Sequence, residues 1–315
     1  MPVELHPTLN RRLFLSQAGA AVGGLALGTV LQAGVETAAP AELEAGWLAL
    51  ISDTHIDADL AKTNLGQNMA ENLRAVVQDV LSQAQRPAGT FINGDLALKD
   101  GQTPDYEQLL NLLGPLRQAG LPIHLGLGNH DHRDHFLAVL KDPLQLQRAE
   151  ASKYLSEVTL QMGTAQAPAL LRVIVLDSLN KVNITPGLLG PEQLLWLQDH
   201  LDAPAHATVP TMVLVHHDPS NQTNALIDSD ALLRVLGPRR QVKALFFGHT
   251  HVWSTKQQND GLWLVNLPAV AYPFSNDQPL GWVQCRPRGN GVELELRAIG
   301  GNLTQNRQRV ELAWR

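Results

Sequence analysis

The chain of 315 residues carries 24 lysines and arginines against 30 aspartates and glutamates, a formal net charge of -6. Hydrophobic residues make up 44 % of it, which excludes wholesale disorder, and the acidic balance argues against a protein built to coat nucleic acid. A single cysteine, Cys285, excludes an internal disulfide framework and any thiolate-rich metal site. Metal chemistry would therefore fall to Asp, Asn, Glu and the 12 histidines.

The N-terminal segment has the pattern of an export signal. Arg11 and Arg12 precede an uncharged apolar stretch over residues 18–35 that is rich in alanine and glycine. A paired arginine before such a run resembles a twin-arginine (Tat) signal, and an uncleaved membrane anchor is the alternative. We expect residues 1–40 to be signal and linker, recognised by the Tat machinery, and the protein to act in the periplasm or outside the cell.

From Trp47 onward, short apolar runs alternate with helical patterns. The runs predict buried strands over residues 48–51, 90–92, 123–125, 171–176, 212–215 and 244–247. Apolar residues at helical spacing predict helices over 68–84, 105–119 and 192–201. Strand-like pieces close the chain over 262–267, 281–286 and 292–299. The alternation predicts one layered α/β domain over residues 45–300, followed by a C-terminal tail over 301–315.

Five polar clusters accompany the predicted strands. Any one of them has a plain structural explanation, since a lone Gly-Asp is usually a turn. Together they favour a functional site, because in α/β sheets the functional crevice lies beyond the carboxyl ends of the strands. The clusters are Asp53-Thr54-His55, Gly94-Asp95, Gly128-Asn129-His130-Asp131, His216-His217 and Gly248-His249-Thr250-His251.

The order and spacing of these clusters resemble the calcineurin-like metallophosphoesterase superfamily, over residues 48–251. The run 128–133, with Gly94-Asp95-Leu96 before it, is similar to the class III cyclic nucleotide phosphodiesterases and the related glycerophosphodiesterases. This resemblance implies an α/β fold, a four-layer α-β-β-α sandwich with a dinuclear metal site at the C-terminal ends of the strands. It implies hydrolysis of a small phosphodiester by in-line attack of a metal-bridging hydroxide.

The resemblance also implies a role for each site residue. Two divalent or trivalent ions of Fe, Mn, Zn or Co would be bound, with Asp95 bridging both and His217 as the alternative to His216. His130 would not bind metal; it would protonate the leaving alkoxide, or else be a structural histidine. The seven implied metal ligands are Asp53, His55, Asp95, Asn129, His216, His249 and His251.

Some alternatives stay open on the sequence alone. Several family members have Asp or Tyr three residues after the bridging aspartate, and Leu98 stands there in this chain, which disfavours a purple acid phosphatase or a protein phosphatase. Arg133 would either contact substrate phosphate or lie in solvent. A phosphomonoesterase of the same fold and a non-catalytic phosphate- or metal-binding protein are the alternative functions. We expect a small phosphoester as substrate and no nucleic-acid partner; the oligomeric state is left open.

Overall fold

The computed structural model describes residues 46–140, 147–150, 153–163 and 168–315. The predicted Tat signal and linker over residues 1–40 lie outside the described residues. None of the helices in the described ranges has the length and apolar character needed to span a membrane.

Strands and short helices alternate along the described chain. The strands are β1 (Leu48–Ile51), β2 (Thr63–Asn64), β3 (Gln67–Asn68), β4 (Gly89–Asn93), β5 (Ile123–Gly126), β6 (Gln147–Glu150), β7 (Lys153–Gly163), β8 (Pro168–Val175), β9 (Thr211–Leu214), β10 (Val242–Phe247), β11 (Ser254–Gln257), β12 (Trp263–Asn266), β13 (Pro279–Arg288), β14 (Gly291–Gly301) and β15 (Arg309–Ala313). The helices are α1 (Met69–Ser82), α2 (Thr103–Leu112), α3 (Gly114–Gln118), α4 (Arg133–Val139), α5 (Pro191–Asp202) and α6 (Ser229–Leu236).

Two large sheets form the centre of the fold. The first has the order β15-β14-β13-β1-β4-β5, with β1, β4 and β5 parallel and the other pairs antiparallel. The second has the order β11-β12-β10-β9-β8-β7-β6, with β8, β9, β10 and β12 parallel. The short hairpin β2-β3 stands apart from both sheets.

Alternation of side chains along the central strands builds three cores. Leu48 and Leu50 of β1 face the core between the two sheets, whereas Ala49 and Ile51 face the core shared with α1, α2 and α3. On the second sheet, β9 and β10 alternate between the same central core and one shared with α5 and α6. The layers are therefore helix, sheet, sheet and helix, as the sequence predicted.

The structure confirms the predicted strands and refines the helices. The helix predicted over 105–119 is divided at Leu113 into α2 and α3, because Pro115 lacks the N–H that a continuous helix would need. The predicted tail over 301–315 contains β15, whose Leu312 is buried and which pairs with β14. One buried residue in a five-residue strand leaves too weak an alternation to read from the sequence.

An ion pair in the first sheet joins α1 to β13 and β14. Asp79 of α1 accepts hydrogen bonds from Arg297 Nη2 at 2.6 Å and from Trp282 Nε1 at 3.0 Å. Burial opposes the charge of Asp79, but the bonds from Arg297 outweigh it and lower the pKa of the carboxyl. The guanidinium of Arg297 is 3 % exposed and also donates to Glu295 Oε1 at 3.0 Å, so removal of the Asp79 charge leaves a buried cation with one carboxylate partner instead of two.

We predict that Asp79→Asn lowers the free energy of unfolding by about 2 kcal/mol at pH 7, the size expected for hydrogen bonds to a charged group, because Glu295 still pairs with Arg297. Because the pKa of Asp79 is lowered in the folded state, its contribution is present above the unfolded pKa and is lost as pH falls through the folded pKa. Urea unfolding should therefore show that the difference in unfolding free energy between Asp79→Asn and the unaltered protein is smaller in acid than at pH 7. Asp202→Asn is the control: Asp202 pairs with Arg239 at the surface and should contribute less than about 1 kcal/mol. Equal losses in the two variants would contradict the prediction.

Candidate metal centre

The five polar clusters meet at one edge of the sandwich. Asp53 and Asp95 follow β1 and β4 of the first sheet, and His216 and His251 follow β9 and β10 of the second. Across the gap between the sheets, His216 Nε2 lies 3.2 Å from Asp95 Oδ2, and His251 Nε2 lies 3.4 Å from Asp53 Oδ1. The carboxyl ends of both sheets therefore face a common site.

The implied ligands form overlapping groups within this site. Three sets of side chains have ligand atoms within 4.8 Å of one another: Asp53 with His55 and His251, Asp95 with His216 and His249, and His55 with Asp95 and His130. Asn129 is buried, and its neighbour His130 donates its main-chain N–H to Asp95 Oδ1 at 2.9 Å.

The backbone of the site is strained where the ligands stand. Five of the implied ligands have positive φ angles, between 44° and 67°: Asp53, His55, Asp95, His249 and His251. Among the described residues only three other non-glycine residues share this conformation. Left-handed backbone costs a residue with a side chain on the order of 1–3 kcal/mol, and it concentrates at functional sites. The turn after each strand is thus bent sharply to present its side chain.

Main-chain carbonyl oxygens hold the imidazole rings. A carbonyl oxygen can only accept, so the ring nitrogen that contacts it donates, and the other nitrogen stays available to a metal ion or a proton. His251 Nδ1 donates to Tyr272 at 2.5 Å, His216 Nδ1 to Asn93 at 2.9 Å, His249 Nε2 to Asn224 at 3.0 Å and His130 Nδ1 to Lys99 at 2.7 Å. Sequence reasoning did not find these four partners, because a carbonyl oxygen is present at every position and carries no sequence signal.

The electrostatics of the site fit a cation. Burial opposes ionisation of Asp53, but His251 and His216 outweigh it and lower the pKa of the carboxyl to about 2. Burial also opposes a charge on His216, but Asp95 and Asp53 raise its pKa to about 10. The two carboxylates therefore require a positive charge beside them, and a bound metal ion would replace the proton of His216.

The donor set fits a metal of intermediate hardness. The Oδ1 atom of the buried Asn129 has no hydrogen-bond partner, an arrangement that a metal ligand would explain. His55 Nε2 and His251 Nε2 lie 3.2 Å apart, and because Nδ1 of His251 donates to Tyr272, it is the Nε2 atom that faces Asp53 and His55. Carboxylate, amide and imidazole groups without sulfur suit Fe, Mn, Co or Zn.

His216 and His217 have different surroundings. His216 contacts Asp95, as described above, whereas His217 Nδ1 bonds Ser178 Oγ at 2.7 Å. The ring of His217 also packs directly against the backbone of Gly187, where a Cβ atom would lie 2.4 Å from its Cγ. The geometry thus brings His216 to the carboxylates and directs His217 to the loop behind it.

Two charged residues of the run 128–133, Asp131 and Arg133, support the site without facing it. Arg133 pairs with Asp177 through Nε at 2.6 Å and Nη2 at 2.8 Å, so it neither contacts a substrate position nor lies free in solvent. Asp131 accepts from the N–H groups of Gly128 at 2.8 Å and Leu96 at 3.1 Å, and burial, with the charge of Asp95, raises its pKa to about 7. Asp131 therefore joins the loops that carry Asp95 and Asn129.

The comparisons with known proteins agree with this geometry. Residues 46–253 match the family model of the calcineurin-like phosphoesterases, and the chain belongs to that family. The 3',5'-cyclic adenosine monophosphate phosphodiesterase CpdA of Pseudomonas aeruginosa is 27 % identical over 234 residues, which cover 72 % of this chain and 77 % of that protein. A probable glycerophosphodiester phosphodiesterase, GpdQ of Arcobacter nitrofigilis, is 26 % identical over 219 residues, 66 % of this chain and 73 % of that protein.

Solved structures show the same fold. A dimetal phosphatase from Danio rerio superimposes with a TM-score of 0.63 at 15 % sequence identity, covering 86 % of this chain and 99 % of that chain. The family is one of metal-dependent hydrolases that act on phosphoester bonds, and this chain has His and Asp clusters that could bind metals.

We predict that Gly128→Ala weakens metal binding by about 10- to 100-fold, the effect expected when the support of a ligand is disturbed. A Cβ atom at this position would lie 2.2 Å from Asp95 Oδ1 and 2.7 Å from His216 Cδ2, so both side chains must move. Gly114→Ala is the matched control, because its Cβ would have no atom within 4 Å. Titration with Mn²⁺ or Zn²⁺, with thermal unfolding to verify folding, should separate the two variants. Equal affinities would refute the steric argument.

Proposed function

We propose that the protein is a metal-dependent phosphodiesterase that hydrolyses small phosphodiesters. The observation that carries the proposal is the meeting of two buried carboxylates and four imidazole groups from both sheets at one edge, where the carboxylates need a cation. Relatives named as cyclic nucleotide and glycerophosphodiester phosphodiesterases support a diester as substrate.

The proposed ligand sets follow the groups in the structure. Asp95 would be shared by two metal ions, with Asp53, His55 and His251 on one side and Asn129, His216 and His249 on the other. When bound, such ions would supply Lewis-acid contacts to the phosphate oxygens and would lower the pKa of a water molecule used for hydrolysis. The chain itself fixes the ring orientations through the carbonyl bonds described above, so little reorganisation is needed on substrate binding.

His130 is the proposed general acid. Its ring lies 5.2 Å from that of His55, between centroids, and its Nδ1 donates to the Lys99 carbonyl oxygen, which leaves Nε2 to exchange a proton with substrate. The side chain is half-buried and so remains open to a ligand. The protonated ring would then give its Nε2 proton to the leaving alkoxide.

Export is part of the proposal. The arginine pair at residues 11 and 12 and the uncharged run after it support transport by the Tat route. An exported phosphodiesterase would act on diesters outside the cytoplasm, where release of phosphate-bearing products serves scavenging.

We predict turnover of bis(4-nitrophenyl) phosphate that exceeds turnover of 4-nitrophenyl phosphate and disappears with a chelator. Purified protein would be reconstituted separately with Fe, Mn, Co and Zn, and release of nitrophenolate would be followed by absorbance. A preference for the monoester would indicate a phosphatase. Two bound ions without any turnover would indicate a phosphate- or metal-binding protein and would overturn the proposal.

We predict that His130→Ala retains both metal ions and loses about 10²- to 10⁴-fold in kcat, the usual contribution of a positioned general acid. Metal content by mass spectrometry and diester turnover would be measured on the same samples. His135→Ala is the matched control, because His135 Nδ1 also bonds a main-chain carbonyl, that of Gly101, at 2.8 Å.

A second variant distinguishes acid catalysis from metal binding. Asp95→Asn removes the charge that both ligand groups share, so it should lose metal together with activity. Full metal content in Asp95→Asn would contradict the bridging role, and unchanged turnover in His130→Ala would contradict the general-acid role.

A further inference from the structure

An exposed aromatic side chain stands directly beside the metal centre. Phe274 is 64 % exposed, yet its ring lies parallel to that of His251, with centroids 4.2 Å apart and planes inclined by 16°. One face of the phenyl ring is thus covered by an implied metal ligand, and the exposure of the side chain leaves its other face open. Phe274 contributes little to the core and instead extends the site outward.

The segment that carries Phe274 is fixed to the ligand loop. The N–H groups of Val270 and Ala271 donate to the carbonyl oxygens of Ser52 and Asp53, both at 3.0 Å. Tyr272, two residues before Phe274, accepts from His251 through its carbonyl oxygen. Its ring stacks on His55 with centroids 5.0 Å apart. The position of Phe274 relative to the metal ligands is therefore set by main-chain bonds as well as by stacking.

Other exposed apolar side chains lie on loops that contact the site. The described residues include seven large apolar side chains that are exposed. Four of them, called the rim residues here, are on loops with contacts to the metal centre or its neighbours: Leu65, Ile184, Ile227 and Phe274. Single exposed apolar residues are normal on a protein surface, and the case for ligand contact therefore depends on Phe274, whose own ring touches His251.

Contacts of neighbouring residues join the loops of Leu65 and Ile184 to the site. Leu65 follows Asn64, whose side chain hydrogen-bonds Tyr272. Ile184 follows Asn183, whose N–H donates to the carbonyl oxygen of Asn129 at 2.7 Å.

Ile227 lies on the side of the second sheet. Its N–H donates at 2.9 Å to the carbonyl oxygen of Gly187, the residue against which His217 packs. Asn224 of the same loop accepts from His249 Nε2 at 3.0 Å, so this loop also contacts an implied ligand.

We propose that Phe274 contacts substrate by stacking on a planar ring, and that the preferred substrates are phosphodiesters that carry such a ring, a nucleobase in natural compounds. This inference rests on the proposed phosphodiesterase function. An aromatic face accepts any nucleobase, because every base presents a π-face, so the selection is for the ring and not for its identity. A glycerol diester offers no planar group and would leave the open face of Phe274 in water.

The test compares two substrates in the metal-loaded enzyme. Adenosine 3',5'-cyclic phosphate carries a base, and glycerophosphoethanolamine carries none. Phe274→Ala should shift the ratio of the two kcat/KM values by about 10- to 100-fold against the cyclic nucleotide, mainly through KM. Phe274→Trp, which keeps an aromatic face, should restore most of that ratio. Leu303→Ala, at an exposed leucine outside the four rim positions, should leave the ratio as it is in the unaltered enzyme.

Binding measurements separate failure of this inference from failure of the proposed function. Calorimetric titration with AMP and with glycerol phosphate needs no turnover, and the metal content of each variant would be measured because Phe274 touches His251. Weaker binding of AMP alone in Phe274→Ala supports the stacking role even if no diester is hydrolysed. An equal loss of affinity for both ligands, or a loss of metal, would show that Phe274 only positions His251 and would overturn the inference. Unchanged affinity for both ligands would overturn it as well.

Discussion

Two buried carboxylates, Asp53 and Asp95, set the condition that the rest of the site satisfies. They are 0 % and 2 % exposed and stand on neighbouring strands of the first sheet, where like charges repel and water is excluded. Such groups are stable in a protein only when opposite charges or hydrogen bonds compensate them. The compensation comes from His216 and His251 of the second sheet, so the demand for charge balance brings the carboxyl ends of the two sheets together.

The close approach of the two sheets also explains the glycines of the motifs. A Cβ atom on Gly248 would lie 2.1 Å from Ser52 Oγ and 2.5 Å from Asp53 Oδ2, so no side chain fits between the loops after β1 and β10. Beside this contact, the positive φ angles of the ligand residues store strain that the packed sheets must offset. The buried strands and the strained turns after them therefore depend on each other: the rigid core holds the sharp turns that present the implied ligands.

This coupling explains what could be predicted from the sequence. Strands such as β1 and β9 are short apolar runs followed at once by Asp or His, and both the run and its polar end are local signals. The carbonyl oxygens of Asn93 and Tyr272 orient His216 and His251, but they give no signal in the sequence, because any residue could supply a carbonyl oxygen. Strand β7 and helix α4 were not predicted, because both depend on contacts with residues elsewhere in the chain. Strand β7 pairs with β8 over a long antiparallel ladder. The short helix α4 is held by the bond of Arg133 to Asp177. Contacts of that range leave no periodic pattern.

We propose that the strand ends bind the phosphate group of a substrate and that the surrounding loops recognise its organic groups. The proposed ligands at the strand ends would create a site suited to phosphoester oxygen atoms in general, whichever organic groups the substrate carries. Discrimination then falls to the loops that carry Leu65, Ile184, Ile227 and Phe274, which tolerate changes that the core does not. Because Phe274 stacks on His251 itself, the two proposed functions meet at one contact: the ring that would recognise the organic part of a substrate also covers a proposed metal ligand. A change of specificity at this position therefore acts on the metal site as well, which limits the side chains that the position can accept.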